Sequence, residues 1–156
     1  MADETFENAD AGASLTIPVQ AGQLRKGDFV CINGFPCKVA DVSTSKTGKH
    51  GHAKANITAI DIFTAKKYEE VAPTSHNLPQ PVVTRTEYLL TDVKGDGFLA
   101  LMNNDTSDIR EDLALPADAD MSEKIKAAFD NGDEVTIVVV GAMGKECVMD
   151  FKVPTN

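Results

Sequence analysis

FVCINGFPCKVADVSTSKTGKHGHAKANITAIDIF, residues 29–63, sets the fold class. Short β-rich runs, DFVCI and CKVADV, are broken by Asn33-Gly34 and Pro36, and Asn-Gly between such runs predicts a β-hairpin. Beyond the polar segment, ANITAIDIF alternates, with Ile57 and Ala59 on one face and Thr58 and Ile60 on the other. The polar segment itself, Ser43 to Lys54, holds three lysines, two histidines and no acid. It joins two β segments and is too polar to bury, so it is expected to project from the end of a barrel.

Working outward, residues 1–16 are small and polar, with four acids and no base, and read as a mobile acidic tail. Pro73, Pro79 and Pro81, with Asn77 and Gln80 among them, read as a linker or crossover, which places a domain boundary near Val83. The second half opens with TEYLLTDV and FLALMN around a turn at Lys94 to Gly97, then a polar turn from Asn103 to Ser107 and a short strand near Ile109. One helix follows. Asp120 and Glu123 have capping-box spacing, Met121, Ile125, Ala128 and Phe129 recur at helical intervals, and Asn131-Gly132 supplies the stop. EVTIVVVG reads as a buried strand, paired with ECVMDFKV. The expected architecture is mainly β: a barrel over 17–83 and a second over 84–156 carrying one helix.

The 156 residues carry a net charge of −9, unevenly spread. Residues 17–83 hold eight Lys or Arg against five Asp or Glu, whereas residues 84–156 hold seven against fifteen. Overall acidity disfavours nonspecific adhesion to nucleic acid, while a local cationic tip still reaches phosphate. No apolar run is long enough to span a bilayer and the N-terminus lacks a signal-peptide core, so a cytoplasmic protein with no membrane partner is expected. Cys31, Cys37 and Cys147 form no CxxC pair and read as reduced, buried thiols.

Within Ser45-Lys46-Thr47-Gly48-Lys49-His50-Gly51-His52, glycines bracket Lys49-His50, which allows positive φ on either side of an apical Lys49. A solvated lysine there suits phosphate or RNA backbone. Enzymatic readings fail one by one. A phosphate-binding Walker loop needs glycine at 43 and Ser or Thr after the lysine, where this chain has Ser43 and His50. His50 and His52 lack further metal ligands, and His76 reads as a turn residue, so no metal is expected. No catalytic constellation is visible. Lys49 as a Schiff-base nucleophile lacks an apolar pocket, and a general RNA-binding or RNA-chaperone module of two β-barrels stands as the other alternative.

STSKTGKHGHAK, followed by IDIFTAKKYEE, PTSHN and, in the second half, REDLALP, closely resembles the eukaryotic translation initiation factor 5A family from about Ala11 to Phe151. The resemblance implies an N-terminal SH3-like barrel and a C-terminal OB-fold. It further implies that Lys49 is converted to hypusine, first by deoxyhypusine synthase with spermidine as aminobutyl donor and then by deoxyhypusine hydroxylase. No dissociable cofactor is implied. The implied partners are the ribosome and peptidyl-tRNA, and the implied function is to promote peptide-bond formation at stalled sequences such as proline runs, and to aid termination. Ser45, Lys46, Thr47, Gly48, His50, Gly51, His52 and Lys54 would then contact tRNA, ribosome or the modifying enzymes. The OB-fold, with only Tyr88, Phe98, Phe129 and Phe151 as aromatics, is expected to rely on shape and on local cations such as Arg85 and Arg110. Ala65 stands where the family usually has glycine, which argues against a positive-φ turn at that point.

Overall fold

The computed structural model describes residues 15–46 and 53–154. It divides into two compact units: one ends at Val83 and takes in Ala142–Gly144, the other comprises Thr84–Gly141 and the chain from Lys145. Each is mainly β, as the alternating runs predict.

In the first unit, β2 (Phe29–Ile32), β3 (Phe35–Lys46), β4 (Ala53–Asp61) and β5 (Lys67–Pro73) form an antiparallel meander in that order. Asn33 and Gly34, at φ 53° and 83°, make the two-residue turn between β2 and β3, and Ile32 faces Phe35 across it. Both positions need positive φ, which is why Asn-Gly signals this hairpin. Alternation in β4 holds as read: Ala55, Ile57 and Ala59 are buried, while Asn56, Thr58 and Ile60 are only half covered. The buried set packs with Leu24, Val30, Ile32 and Val39 into one core. Truncating Ile57, 1% exposed, to Ala would cost about 2–5 kcal/mol.

Two expectations at the edges of this unit need correction. Thr16, assigned to the tail, instead opens β1 (Thr16–Gln20). The proline cluster forms strand β6 (Asn77–Pro81), paired with β1 in a two-stranded ribbon. The reason is spacing. Pro79 faces Pro18 and Pro81 faces Thr16, two residues apart, so both prolines fall on the alternate positions whose N–H does not enter the ladder. The Gln80 side-chain amide donates to the Phe29 carbonyl at 3.1 Å and ties the ribbon to β2.

The second unit orders its strands β11-β10-β7-β8-β9, with β7 Thr84–Val93, β8 Phe98–Met102, β9 Ile109–Ala114, β10 Thr136–Ala142 and β11 Lys145–Lys152. Ile137, Val138 and Val139 of β10 are buried on both faces, as the continuous β-branched run predicts. Helix α1 (Ala119–Asp130) packs Ile125, Met121, Ala128 and Phe129 on Leu90, Leu99, Leu101 and Ile137. Its N-cap is Asp118, not Asp120: the Asp118 carboxylate accepts from the Asp120 and Met121 amides at 2.9 and 3.3 Å. With the cap two residues earlier, Glu123 is too far along to complete a capping box. The C-terminus is as read. Gly132 takes φ 86°, its amide donates to the Phe129 carbonyl, and the Asp133 amide donates to that of Ala128, which is a Schellman closure.

Candidate RNA-contact and modification loop

On the β3–β4 hairpin, β3 leaves the core before β4 does, for Ala55, opposite Thr44, is still buried. From Ser43 to Lys46 every β3 residue is exposed on both faces, whereas up to Val39 the strand alternates into the core. The register continues regardless, Ser43 facing Asn56, Thr44 facing Ala55, Ser45 facing Lys54 and Lys46 facing Ala53. The exposed end of β3 thus runs beside β4, and the pairing holds residues 46 and 53 opposite each other. Between them come Thr47, Gly48, Lys49, His50, Gly51 and His52, which lie outside the described residues.

The root of this arm is braced on one side. β5 pairs with β4 as far as Lys54–Pro73, and the Thr74 amide donates to the Ala53 carbonyl at 3.0 Å. Thr74 in turn abuts Gly22: the Gly22 amide donates to the Thr74 carbonyl at 2.9 Å, and a Cβ on Gly22 would stand 2.9 Å from the Thr74 Cβ. His76 is the turn residue its context predicts, its amide donating to the Pro73 carbonyl and its carbonyl accepting from Ala21. Sequence reasoning passed over Gly22, because one glycine in AGQ carries no pattern and the close approach is a tertiary fact.

The electrostatics at the root are simple. Lys46 and Lys54 are exposed and meet no carboxylate within ion-pair distance among the described residues. Ser45 is exposed beside them. No group of three or more His, Cys, Asp or Glu among the described residues could hold a metal. Cys31 and Cys37 are buried free thiols and Cys147 is half-buried. Burial, reinforced by the nearby Asp61 carboxylate, pushes the Cys37 thiol up to about 11, which leaves it protonated and unreactive at neutral pH.

Arg110, expected to face RNA, is committed elsewhere. It lies on β9 and Glu146 on β11, the two edges of the five-stranded sheet. Its guanidinium donates to both Glu146 oxygens at 2.9 and 3.1 Å, to both Asp112 oxygens at 2.7 Å and to the Tyr88 hydroxyl at 3.2 Å. All five donors of the fork are accounted for, leaving none for a phosphate. The Asp112 and Glu146 partners hold the guanidinium well above its ordinary range, and Arg110 in return holds the Asp112 carboxyl below its own. The residue closes the barrel. Ala65, against expectation, keeps the positive-φ turn, at φ 66°. Asp61, only 4% exposed, fixes it: its Oδ1 accepts the Phe63 and Thr64 amides at 2.8 and 3.2 Å, while its backbone carbonyl accepts the Ala65 amide. An aspartate ending a strand is the sequence signal for such an Asx turn.

Residues 14–76 match the family described as "Translation initiation factor 5A-like, N-terminal", and residues 82–152 match "Eukaryotic elongation factor 5A hypusine, DNA-binding OB fold". The eukaryotic translation initiation factor 5A of Dictyostelium discoideum is 53% identical over 153 residues, covering 98% of this chain and 94% of that protein. Factor 5A-1 of Saccharomyces cerevisiae is 50% identical, covering 97% and 96%. Among solved structures, a translation initiation factor eIF-5A family protein from Naegleria fowleri superposes with a TM-score of 0.82 at 54% identity, over 88% of this chain and 98% of the other. That from Methanococcus jannaschii gives 0.65 at 31%, over 90% and 93%. The fold is therefore the SH3-like barrel followed by an OB-fold. Sharing about half its residues with these translation factors over nearly its whole length, the chain belongs to the eukaryotic translation initiation factor 5A family.

Proposed function

We propose that this translation factor works at the ribosome through a hypusine formed at Lys49, and that the modified side chain steadies peptidyl-tRNA so that peptide bonds form at stalled sequences such as proline runs. The observation that carries the reading is the arm itself. β3 is exposed from Ser43 to Lys46 while still in register with β4, and the pair brings Lys46 and Lys54, which meet no carboxylate among the described residues, to either side of the segment that holds Lys49.

Deoxyhypusine synthase transfers an aminobutyl group from spermidine to the Lys49 Nζ, and deoxyhypusine hydroxylase adds the hydroxyl. The extended side chain has roughly twice the reach of lysine and bears two cationic nitrogens flanking a hydroxyl, groups that pair with phosphates and the 2′-OH of a tRNA acceptor end. Gly48 and Gly51 keep the tip narrow for enzyme and ribosome alike, and Ser45, Lys46, Thr47, His50, His52 and Lys54 supply flanking contacts. Proline is a rigid and poor nucleophile, so holding the peptidyl-tRNA in line recovers the orientational advantage it lacks. On this reading the protein is not an enzyme: the ribosome performs the reaction, in the cytoplasm. A general RNA chaperone acting through the second barrel finds no support in Arg110, whose donors are all engaged.

Mass analysis of the peptide spanning Lys49 from native material tests the proposal directly. Hypusine at that residue supports it; a wholly unmodified lysine in native material overturns it.

A further inference from the structure

The far end of β3 carries a second feature. Where Lys46 ends the strand at the arm, Phe35 begins it, and the 11 intervening steps place the two up to about 36 Å apart along the chain. Phe35 is a large apolar residue left 46% exposed beside buried Pro36 and Cys37. Its ring stacks on Tyr68 of β5, with centroids 5.4 Å apart and planes 18° from parallel. The Lys66 ammonium sits 5.3 Å from the Tyr68 ring centroid. The two turns that frame the pair, residues 33–35 and 62–67, contain Lys66 and Lys67 and no acid. Lys66 has no carboxylate partner among the described residues, and Lys67 has only a loose one, Glu69 at 3.9 Å. Asp61 is buried with its Oδ1 taken up by backbone amides, and Glu70 follows Tyr68 by two residues on the same face of β5.

We propose that Phe35, Tyr68 and Lys66 form a docking platform for an unpaired base of single-stranded RNA, separate from the Lys49 loop and independent of its modification. Tyr68 packs against the barrel core and anchors the column, whereas Phe35 stands outside that core. An exposed flat ring on a rigid partner, with unneutralised lysine at its side, is what a base and its phosphate require: stacking on the ring and charge within reach of the backbone. A protein partner fits less well. Val71, the exposed large apolar residue of β5, falls on the opposite face of that strand from Tyr68, and Ile62 and Phe63 of the framing turn are half-buried, so the apolar patch at the platform is small for a protein interface. The first unit's cation excess favours an anionic ligand within an otherwise acidic chain.

The test uses the full, unmodified chain and fluorescently labelled oligouridylate and oligoadenylate at low salt, with duplex RNA of equal length as the control. The wild type is expected to prefer the single strands. Phe35→Ala is expected to weaken single-strand binding roughly tenfold, within a range of about five- to a hundredfold, and to leave duplex binding unchanged. Phe35→Leu, which keeps an apolar side chain but no ring and so guards against a folding defect, is expected to lose nearly as much, while Phe35→Tyr retains binding. Lys66→Gln is expected to flatten the dependence of log affinity on log salt by about 0.7. Equal binding of single strands and duplex, or undiminished binding by Phe35→Ala or Phe35→Leu, would each overturn the platform. None of these results bears on whether Lys49 is modified in native material.

Discussion

In the first unit Lys46, Lys54 and Lys66 meet no carboxylate among the described residues, whereas in the second Arg110, Lys94, Lys124 and Lys152 each pair with at least one. The difference follows from composition. Fifteen acids surround seven bases after Val83, so a cation there has acids close at hand; before it, bases outnumber acids and several are left over. Surface pairs of this kind contribute little to stability one by one. Their larger effect is on recognition, because a neutralised cation in an acidic field offers nothing to phosphate and an unneutralised one does. Charge pairing thus separates a barrel with cations left unneutralised from one whose charges serve mainly itself.

The sharpest way to break this comparison is at Lys49. Lys49→Arg keeps the positive charge but cannot accept the aminobutyl group, so synthesis of proline-rich reporters by cells relying on this variant is expected to fall to the level of cells lacking the factor. Folding should be nearly unchanged, with a urea-unfolding free energy within about 0.5 kcal/mol of wild type. Reporter synthesis at the wild-type level would show that charge alone suffices and that modification is not the point of the arm.

Arg110 tests the other side. Arg110→Met removes the fork that joins β9 to β11 and leaves Glu146 and Asp112 without their cation. Because Asp112 and Glu146 are largely solvated, the cost is expected at about 1–3 kcal/mol and not at the level of a buried pair, read as a lower urea midpoint for the second unit. The sign of the pH dependence follows from Asp112. Its pKa is lowered in the fold, first by the hydrogen bond from Arg110, so its contribution is fully present above the ordinary carboxylate value and is lost as pH falls through the depressed one. Stability of the wild type should therefore decline in acid more steeply than that of Arg110→Met. A midpoint and acid profile identical in the two proteins would mean that the barrel is closed by packing alone.

How much of this was legible in the chain depends on the range of the interaction. Asn33-Gly34, the alternation of β4 and the glycine stop after α1 are local rules obeyed locally, and they read correctly. The proline cluster misled because its composition says linker, while its two-residue spacing, matched to a partner strand some sixty residues earlier, permits an edge strand. Asp118 displaced Asp120 as the cap because a helix start is decided by which carboxylate reaches the free amides, and both residues qualify on type. Arg110 could be read only in part: Asp112 stands two residues along its own strand, but Glu146 lies on β11, which β9 meets only when the sheet curls, and the same long range hides the Phe35–Tyr68 stack.

Ala65 sharpens the comparison from the smallest effect. The first unit tolerates a left-handed alanine next to Lys66, held by the Asp61 turn, where glycine would lie at ease. An L-residue pays about 1–2 kcal/mol for that conformation, and glycine returns part of it through the greater freedom of its unfolded chain. Ala65→Gly is therefore expected to stabilise by somewhat under about 1 kcal/mol, seen as a higher urea midpoint with an unchanged slope. If it leaves the Lys66 side chain over Tyr68, salt dependence of RNA binding stays as in the wild type, and the turn is only a support. Should the midpoint fall instead, the alanine methyl would have to be making contacts that outweigh its strain, and the Asx turn alone would not account for the conformation.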